Sequence, residues 1–165
     1  GSNLAAHATA REIREVMGER EFSQRWSFSV IRNPWKRMVS MYYCYCMLGK
    51  IQKHFGDDWE AVFKSTRTFR DFFFNYPNNN LPGTTGTMRS PQMYWANGVD
   101  EVFNMEEEHV LNIEMAKRGY RKGIYFDHLN SYNPHNPYQS YYNEEMKSLV
   151  KDWFREDIEM FNYVF

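Results

Sequence analysis

The sequence predicts an α/β fold, a single domain of residues 1–165 with a parallel sheet flanked by helices. Segments rich in aromatic and β-branched residues alternate with segments whose apolar residues recur every three or four positions, and this alternation is typical of parallel sheets. The chain of 165 residues is 42% hydrophobic, which suits one modest core. In such a fold, the ligand crevice lies at the carboxyl ends of the strands.

The first three elements are predicted to be a short helix, a strand and a second helix. A capping-box pattern begins at Thr9, and Gly18 ends the first helix. The run 26–31 is aromatic and β-branched, which favours a strand, and Asn33-Pro34 ends it. Apolar residues then recur at helical spacing as far as Cys46, so a helix follows the strand directly.

The remaining elements follow from the same signals. Further helices are predicted to begin at capping residues or acidic first turns, namely Asp57 or Asp58, Thr68, Ser90-Pro91, Glu106 and Asn143. Apolar runs at 99–103 and 124–126 predict a second and a third strand. The polar segments 77–89 and 127–142 are predicted to be loops, and the helix after Asn143 is predicted to close the core.

The turn after the first strand carries the main indication of a ligand. Arg32 lies at the carboxyl end of the strand, and the first turn of the next helix is predicted to present unpaired backbone N–H groups. A guanidinium beside the positive end of a helix suits a phosphate monoester. The alternative is that Arg32 and Ser40 only cap and pair locally. Glu106 emerges at the end of the second strand, where it either orients a ligand or an arginine or stabilises a helix dipole.

Charge and composition narrow the possible partners. A formal net charge of −1 disfavours nucleic-acid binding, and no apolar segment approaches the length of a membrane span. Cys44 and Cys46 face different directions on a helix, so a disulfide between them is not expected, and the sequence has no glycosylation sequon. Both observations favour a reducing compartment, so a cytoplasmic location is predicted, or the Golgi lumen if a membrane anchor was removed. The histidine spacing predicts no metal site, and the sequence does not determine the oligomeric state.

The segment Arg32-Asn33-Pro34, followed by Arg37 and by Ser40, resembles the 3′-phosphate-binding motif of sulfotransferases that use 3′-phosphoadenosine-5′-phosphosulfate (PAPS). In that family the matching Arg and Ser hold the 3′-phosphate of the donor. The chain looks closest to the carbohydrate sulfotransferase branch, because further segments occur in that branch's order: 7–14, 90–92, 99–103, Glu106, 128–130, 141–145 and 157–163. The resemblance therefore implies that Arg32 and Ser40 bind the donor.

The resemblance also implies a P-loop-like sheet, from which the first strand and its Lys-containing, Gly-Thr-rich phosphosulfate loop are expected to be missing. Gly1-Ser2 is interpreted as a cloning scar, so the loop is either naturally absent or was left out. The segment 81–87 is also rich in Gly and Thr, but it contains no Lys and does not follow a strand. It is interpreted as a surface loop beside the acceptor site.

Three further residues are candidates for the reaction site. His7 is the candidate general base, because the positive end of the helix begun at Thr9 favours a neutral imidazole, and some relatives use a His in this segment. The alternative is an exposed neighbour of the cap. Arg37 either touches a phosphate or pairs with a carboxylate that fixes the turn, and Gln92 is assigned to donor binding by analogy with the family. Arg121-Lys122-Gly123 is interpreted as a solvated turn rather than a phosphate-binding element.

The resemblance implies an enzyme that transfers a sulfuryl group from PAPS to a hydroxyl acceptor, leaving adenosine 3′,5′-bisphosphate, and no metal is expected. An 18% aromatic content, with Tyr and Trp in predicted surface segments, favours a carbohydrate acceptor, with a small alcohol or a tyrosyl peptide as the alternatives. The rival hypothesis is a noncatalytic domain that binds a nucleotide or an anionic glycan. A P-loop kinase or hydrolase is disfavoured, because the chain has no Gly-x-x-x-x-Gly-Lys-Ser/Thr sequence.

Overall fold

The computed structural model describes residues 8–44, 59–76, 88–120 and 136–165. Several predictions therefore lie outside the described residues: the candidate base His7, the third strand at 124–126, the turn at 121–123 and the loop at 81–87.

The described elements are mostly helices, and they follow the chain in this order. They are α1 (Ala10–Met17), α2 (Glu19–Ser23), β1 (Phe28–Ile31), α3 (Pro34–Tyr42), α4 (Trp59–Ser65), α5 (Phe69–Asn75), α6 (Met93–Ala96), β2 (Glu101–Asn104), α7 (Glu108–Lys117), α8 (Glu144–Trp153) and α9 (Arg155–Phe161). Short 3₁₀ helices occupy Met105–Glu107 and Tyr138–Tyr141, the second of them within a segment predicted to be a loop.

The two described strands form a small parallel sheet. Phe28 of β1 pairs with Glu101 of β2, and Ile31 pairs with Asn104. This pairing confirms the prediction of an α/β fold with parallel strands. It also brings the carboxyl ends of both strands to the same edge of the sheet, where the ligand crevice was predicted.

The first helix forms as its sequence predicts, and an unpredicted helix follows it. The N–H of Glu12 donates to Thr9 Oγ1 at 3.1 Å, while the Thr9 N–H donates to the Glu12 carboxylate at 2.7 Å. The bond from the Thr9 N–H, together with one from the Thr9 hydroxyl at 2.8 Å, stabilises the charged carboxylate and lowers the pKa of Glu12. Gly18 ends α1 with φ of 84°, and the chain turns directly into α2, whose Phe22 is buried under the guanidinium of Arg14.

The C-terminal region consists of two helices rather than the single helix predicted after Asn143. Asn143 caps α8 as expected, accepting the Met146 N–H at 2.8 Å. At Phe154 the backbone leaves helical geometry, with φ of −116° and ψ of 32°, and α9 begins at the next residue. The Phe154 side chain is fully buried, so the break lies against the core, and the helical pattern of the sequence alone does not indicate it.

Aromatic side chains dominate the larger core. Its members, three of which are buried phenylalanines of α5, are Trp35, Met38, Val39, Tyr42, Tyr43, Phe69, Phe72, Phe73, Tyr76, Met88, Met146, Val150 and Phe154. A smaller cluster of Phe103, Leu111 and Met115 packs α7 against the sheet. No helix within the described ranges is both long enough and apolar enough to cross a membrane.

The smaller cluster provides a test of how α7 is held. Leu111 is fully buried, whereas Ile113 on the same helix is 53% exposed. We expect Leu111→Ala to lower the free energy of unfolding by about 2–5 kcal/mol, because it leaves a cavity beneath the sheet. Urea denaturation followed by circular dichroism measures the change. The control, Ile113→Ala, deletes a similar side chain and should cost less than about 1 kcal/mol. Equal costs would contradict the packing of α7 on the sheet.

Candidate functional site

Charged side chains from β1, α3 and the segment after β2 meet at the carboxyl edge of the sheet. Because Ile31 pairs with Asn104, Arg32 and Glu106 emerge side by side. The Arg32 Nε atom lies 4.0 Å from Glu106 Oε1, and the Lys36 Nζ atom lies 3.6 Å from the same oxygen. The side chains of Arg32 and Lys36 are 37% and 36% exposed, so both cations remain accessible to solvent.

The start of α3 differs from the sequence prediction. Asn33 caps this helix, and its Oδ1 accepts the backbone N–H groups of Trp35 and Lys36 at 3.1 and 3.3 Å. Pro34 has no N–H, and the N–H of Asn33 itself donates to Glu106 Oε2 at 3.3 Å. The prediction of unpaired backbone donors in this turn is therefore wrong, because a side-chain cap satisfies them. Binding of an anion at this turn would therefore depend chiefly on side-chain cations.

A single side chain fixes the main chain of Arg32. The Gln92 Oε1 atom accepts the Arg32 N–H at 3.0 Å, and Gln92 Nε2 donates to the Arg32 carbonyl at 2.7 Å. The same Nε2 donates to Asp157 Oδ2 at 3.1 Å. The structure therefore places Gln92 in direct contact with the predicted phosphate-binding turn, where its amide bonds the protein. Its assignment to donor binding stays a prediction.

Asp157 supports this arrangement from α9, and sequence reasoning assigned it no role. Its carboxylate is completely buried and accepts the N–H groups of Gln92 at 2.7 Å and Met93 at 2.9 Å. It therefore caps α6, which begins at Met93, whereas the sequence predicted a cap at Ser90. The sequence gives no signal for this role, because it predicts one continuous helix after Asn143, whereas the structure places Asp157 in the first turn of a second helix.

Arg37 lies against the segments that flank α6 and α9. Its Nη1 donates to the Ser90 carbonyl at 3.3 Å, and its guanidinium lies 5.3 Å from the centre of the Phe154 ring and 5.8 Å from that of Trp95. These contacts tie α3 to the chain on both sides of Gln92. The pairing of Arg37 with a carboxylate that fixes the turn stays a prediction, as does its contact with a phosphate.

Lys36 is a site residue that sequence reasoning missed. Lys36 and Ser40 are four residues apart on α3, so they lie on the same side of the helix, and Ser40 is half-buried. Lys36 also shares the Glu106 carboxylate with Arg32. The sequence did contain a signal for Lys36, because it lies four residues from both Arg32 and Ser40, a spacing that places residues on the same side of a helix.

The C-terminal segment packs beneath the site. The Tyr163 hydroxyl donates to Asn104 Oδ1 at 2.8 Å and lies 3.4 Å from the Ile31 carbonyl, so it joins the ends of both strands. The Asn33 Nδ2 donates to the Val164 carbonyl at 3.1 Å. Residues at the end of the chain thus hold the cap of α3 and the carboxyl edge of the sheet together.

The comparisons with known proteins leave the site to be interpreted from its own chemistry. No family model, curated protein or solved structure matches this chain. Within the described ranges, no group of three or more His, Cys, Asp and Glu side chains could hold a metal ion. Among the described residues, the structure brings together the cations of Arg32 and Lys36, the carboxylate of Glu106 and the helix that carries Ser40.

The buried carboxylate of Asp157 is expected to be important for stability. In Asp157→Asn, an amide NH₂ replaces one of the oxygens that face N–H donors, so we expect the free energy of unfolding to fall by about 2–4 kcal/mol. Asp152→Asn is the matched control, because Asp152 makes an exposed ion pair with Arg155 and should contribute less than about 1 kcal/mol. Urea denaturation of both variants tests this, and similar small losses would contradict the capping role.

The Tyr163 hydroxyl is expected to make folding sensitive to alkaline pH. Burial, and secondarily the charge of Glu106, raises the pKa of Tyr163 above its ordinary value. Above about pH 10 the unfolded chain loses this proton while the folded chain keeps it, so stability falls as the pH rises towards the folded pKa. Tyr163→Phe should lower stability at pH 7 by about 1 kcal/mol through loss of the Asn104 hydrogen bond, and should flatten the alkaline decline.

Denaturant titrations between neutral and alkaline pH measure this effect. Tyr120 is 55% exposed, so Tyr120→Phe is the control and should keep the dependence of the wild type on pH. An alkaline decline that is unchanged in Tyr163→Phe would contradict the assignment.

Proposed function

We propose that this chain is a PAPS-dependent sulfotransferase domain that binds the 3′-phosphate of the donor through Arg32 and Ser40. The observation that carries the proposal is the position of Arg32. It lies at the carboxyl end of a parallel strand, its backbone is fixed by Gln92, and its side chain is partly open to solvent beside Lys36. The helix bearing Ser40 follows directly. This strand–turn–helix supports a P-loop-like fold.

The electrostatics of the turn suit a phosphate monoester. The chain has a net charge of −1, so attraction of an anion must come from local cations rather than from the overall field of the protein. Arg32 offers a planar set of donors, Lys36 a compact charge and Ser40 a hydroxyl, and phosphate oxygens accept hydrogen bonds from all three groups. The 3′-phosphate distinguishes PAPS and adenosine 3′,5′-bisphosphate from ordinary adenine nucleotides, so this grip would select the donor.

The reaction we propose is transfer of a sulfuryl group from PAPS to an acceptor hydroxyl. Binding of the 3′-phosphate, which is remote from the reacting sulfur, would contribute to catalysis by orienting the donor so that its sulfur lies in line with the acceptor oxygen. The proposed base remains His7, which would take the proton of that hydroxyl. The role of the Arg32 turn in this scheme is positioning, and Gln92 and Asp157 support it through hydrogen bonds to the main chain.

We propose a carbohydrate as the acceptor, although fewer aromatic side chains are exposed than the sequence predicted. Tyr141 and Tyr142 pack against the aromatic core, and the Tyr142 hydroxyl donates to the Trp35 carbonyl at 2.8 Å. Tyr94 is 42% exposed and stacks edge-on against Trp95, close in sequence to Gln92. An exposed aromatic face of this kind is the type of surface on which sugars stack.

The proposed donor site is tested by calorimetric titration with adenosine 3′,5′-bisphosphate and with adenosine 5′-monophosphate. We expect the wild type to prefer the bisphosphate and Arg32→Ala to weaken its binding by about ten- to a hundredfold, as for loss of a charge-assisted hydrogen bond. Ser40→Ala should weaken it by about three- to tenfold. Arg32→Ala keeps both backbone bonds to Gln92, so the variant is expected to fold.

The matched control is Arg25→Ala, which removes an exposed arginine paired with Glu21 and should leave binding unchanged. Equal affinity for the two nucleotides, or bisphosphate binding that survives Arg32→Ala, would contradict the proposed site. Selective binding without sulfuryl transfer from PAPS to a panel of sugars would favour the noncatalytic hypothesis.

A further inference from the structure

We propose that Glu106 is an internal competitor for the anion site, and that its carboxylate weakens the hold of the Arg32 turn on phosphate. This inference rests on the proposed function. The Glu106 oxygens lie beside three groups of the turn: Arg32 Nε at 4.0 Å, Lys36 Nζ at 3.6 Å and the Asn33 N–H at 3.3 Å. A bound phosphate would need the same two cations, so it must share them with this carboxylate or displace it.

The backbone around Glu106 holds the competitor in place. The Glu106 N–H donates to Asn104 Oδ1 at 3.0 Å, and the same oxygen accepts the Tyr163 hydroxyl at 2.8 Å. Asn104 pairs with Ile31 in the sheet, so the register of the strands carries Glu106 to the end of β1. The main chain is thereby anchored, while the side chain can move its carboxylate by changing from one staggered rotamer to another.

The ion pairs of the carboxylate with Arg32 and Lys36 are weak enough to be exchanged. Its side chain is 24% exposed, and both cation distances are at the long end for an ion pair. Ion pairs between partly solvated groups contribute little to stability. A phosphate monoester brings up to two negative charges, so it can replace the carboxylate at Arg32 and Lys36. Its affinity is reduced both by the loss of those ion pairs and by repulsion from the carboxylate nearby.

Replacing Glu106 by Gln separates this role from a structural one. The substituted side chain keeps a carbonyl oxygen that can accept the Asn33 N–H, but it carries no charge. In calorimetric titrations with adenosine 3′,5′-bisphosphate at low salt, we expect Glu106→Gln to bind about three- to tenfold more tightly than the wild type. The gain should shrink at high salt, because screening weakens the repulsion between partly solvated charges.

Glu107→Gln is the matched control. It removes the same charge from the neighbouring exposed residue, which makes no ion pair within the described ranges, so its affinity should stay within about twofold of the wild type. The double variant Arg32→Ala/Glu106→Gln should lose most of the gain, because Arg32 is one of the two cations for which carboxylate and phosphate compete. Thermal denaturation by circular dichroism checks that each variant is folded.

The outcomes separate this inference from the proposed function. Tighter binding in Glu106→Gln, but not in Glu107→Gln, supports the competitor role. If the wild type binds the bisphosphate and Glu106→Gln binds it equally or more weakly, Glu106 does not compete with phosphate, and this inference alone is overturned. Weaker binding would mean that Glu106 positions the side chain of Arg32. If neither folded protein binds the bisphosphate, the proposed function fails and this inference fails with it.

Discussion

The hydrogen bonds between the Gln92 amide and the backbone of Arg32 are the contacts on which the rest of the site depends. Arg32 lies just beyond the last paired residue of β1, so its N–H and carbonyl would otherwise need water or another partner. Gln92 satisfies both groups, and Asp157 orients Gln92 through the amide and the main chain. The buried carboxylate of Asp157 in turn requires these donors, because an unpaired buried charge is costly. The strand end, α6 and α9 are therefore held as one unit.

Local charges, rather than the helix N-terminus, define the chemistry of the carboxyl edge. The Asn33 side chain uses the first free N–H groups of α3, which leaves side-chain cations as the accessible attraction for an anion. The single negative charge of Glu106 offsets part of the positive charge of Arg32 and Lys36, and all three side chains remain partly solvated. An anion that bound here would exchange these ion pairs, so we expect its affinity to depend on ionic strength.

The aromatic residues serve the core more than the surface. Tyr141 and Tyr142 lie in a segment whose composition suggested exposure, yet they pack against the larger cluster, and Tyr142 is bonded to the backbone at the start of α3. Trp35 reaches the same cluster and donates to the Lys147 carbonyl. The α3 helix is thus fixed by aromatic packing on its buried side, while Lys36 and Ser40 are only partly buried. A rigid helix is what a positioning site requires.

The sequence by itself determined those parts of the structure whose partners are close along the chain. The Thr9 cap, the start of α3 at Asn33-Pro34 and the place of Arg32 at a strand end all depend on contacts within a few residues, which spacing and residue type reveal. Tertiary structure alone decided that Gln92 binds Arg32, 60 residues away, that Asp157 caps α6 from α9, and that Tyr163 joins the strand ends. A side-chain amide, carboxylate or hydroxyl can bond any nearby donor or acceptor, so its partner depends on which segments the packing of the core brings together.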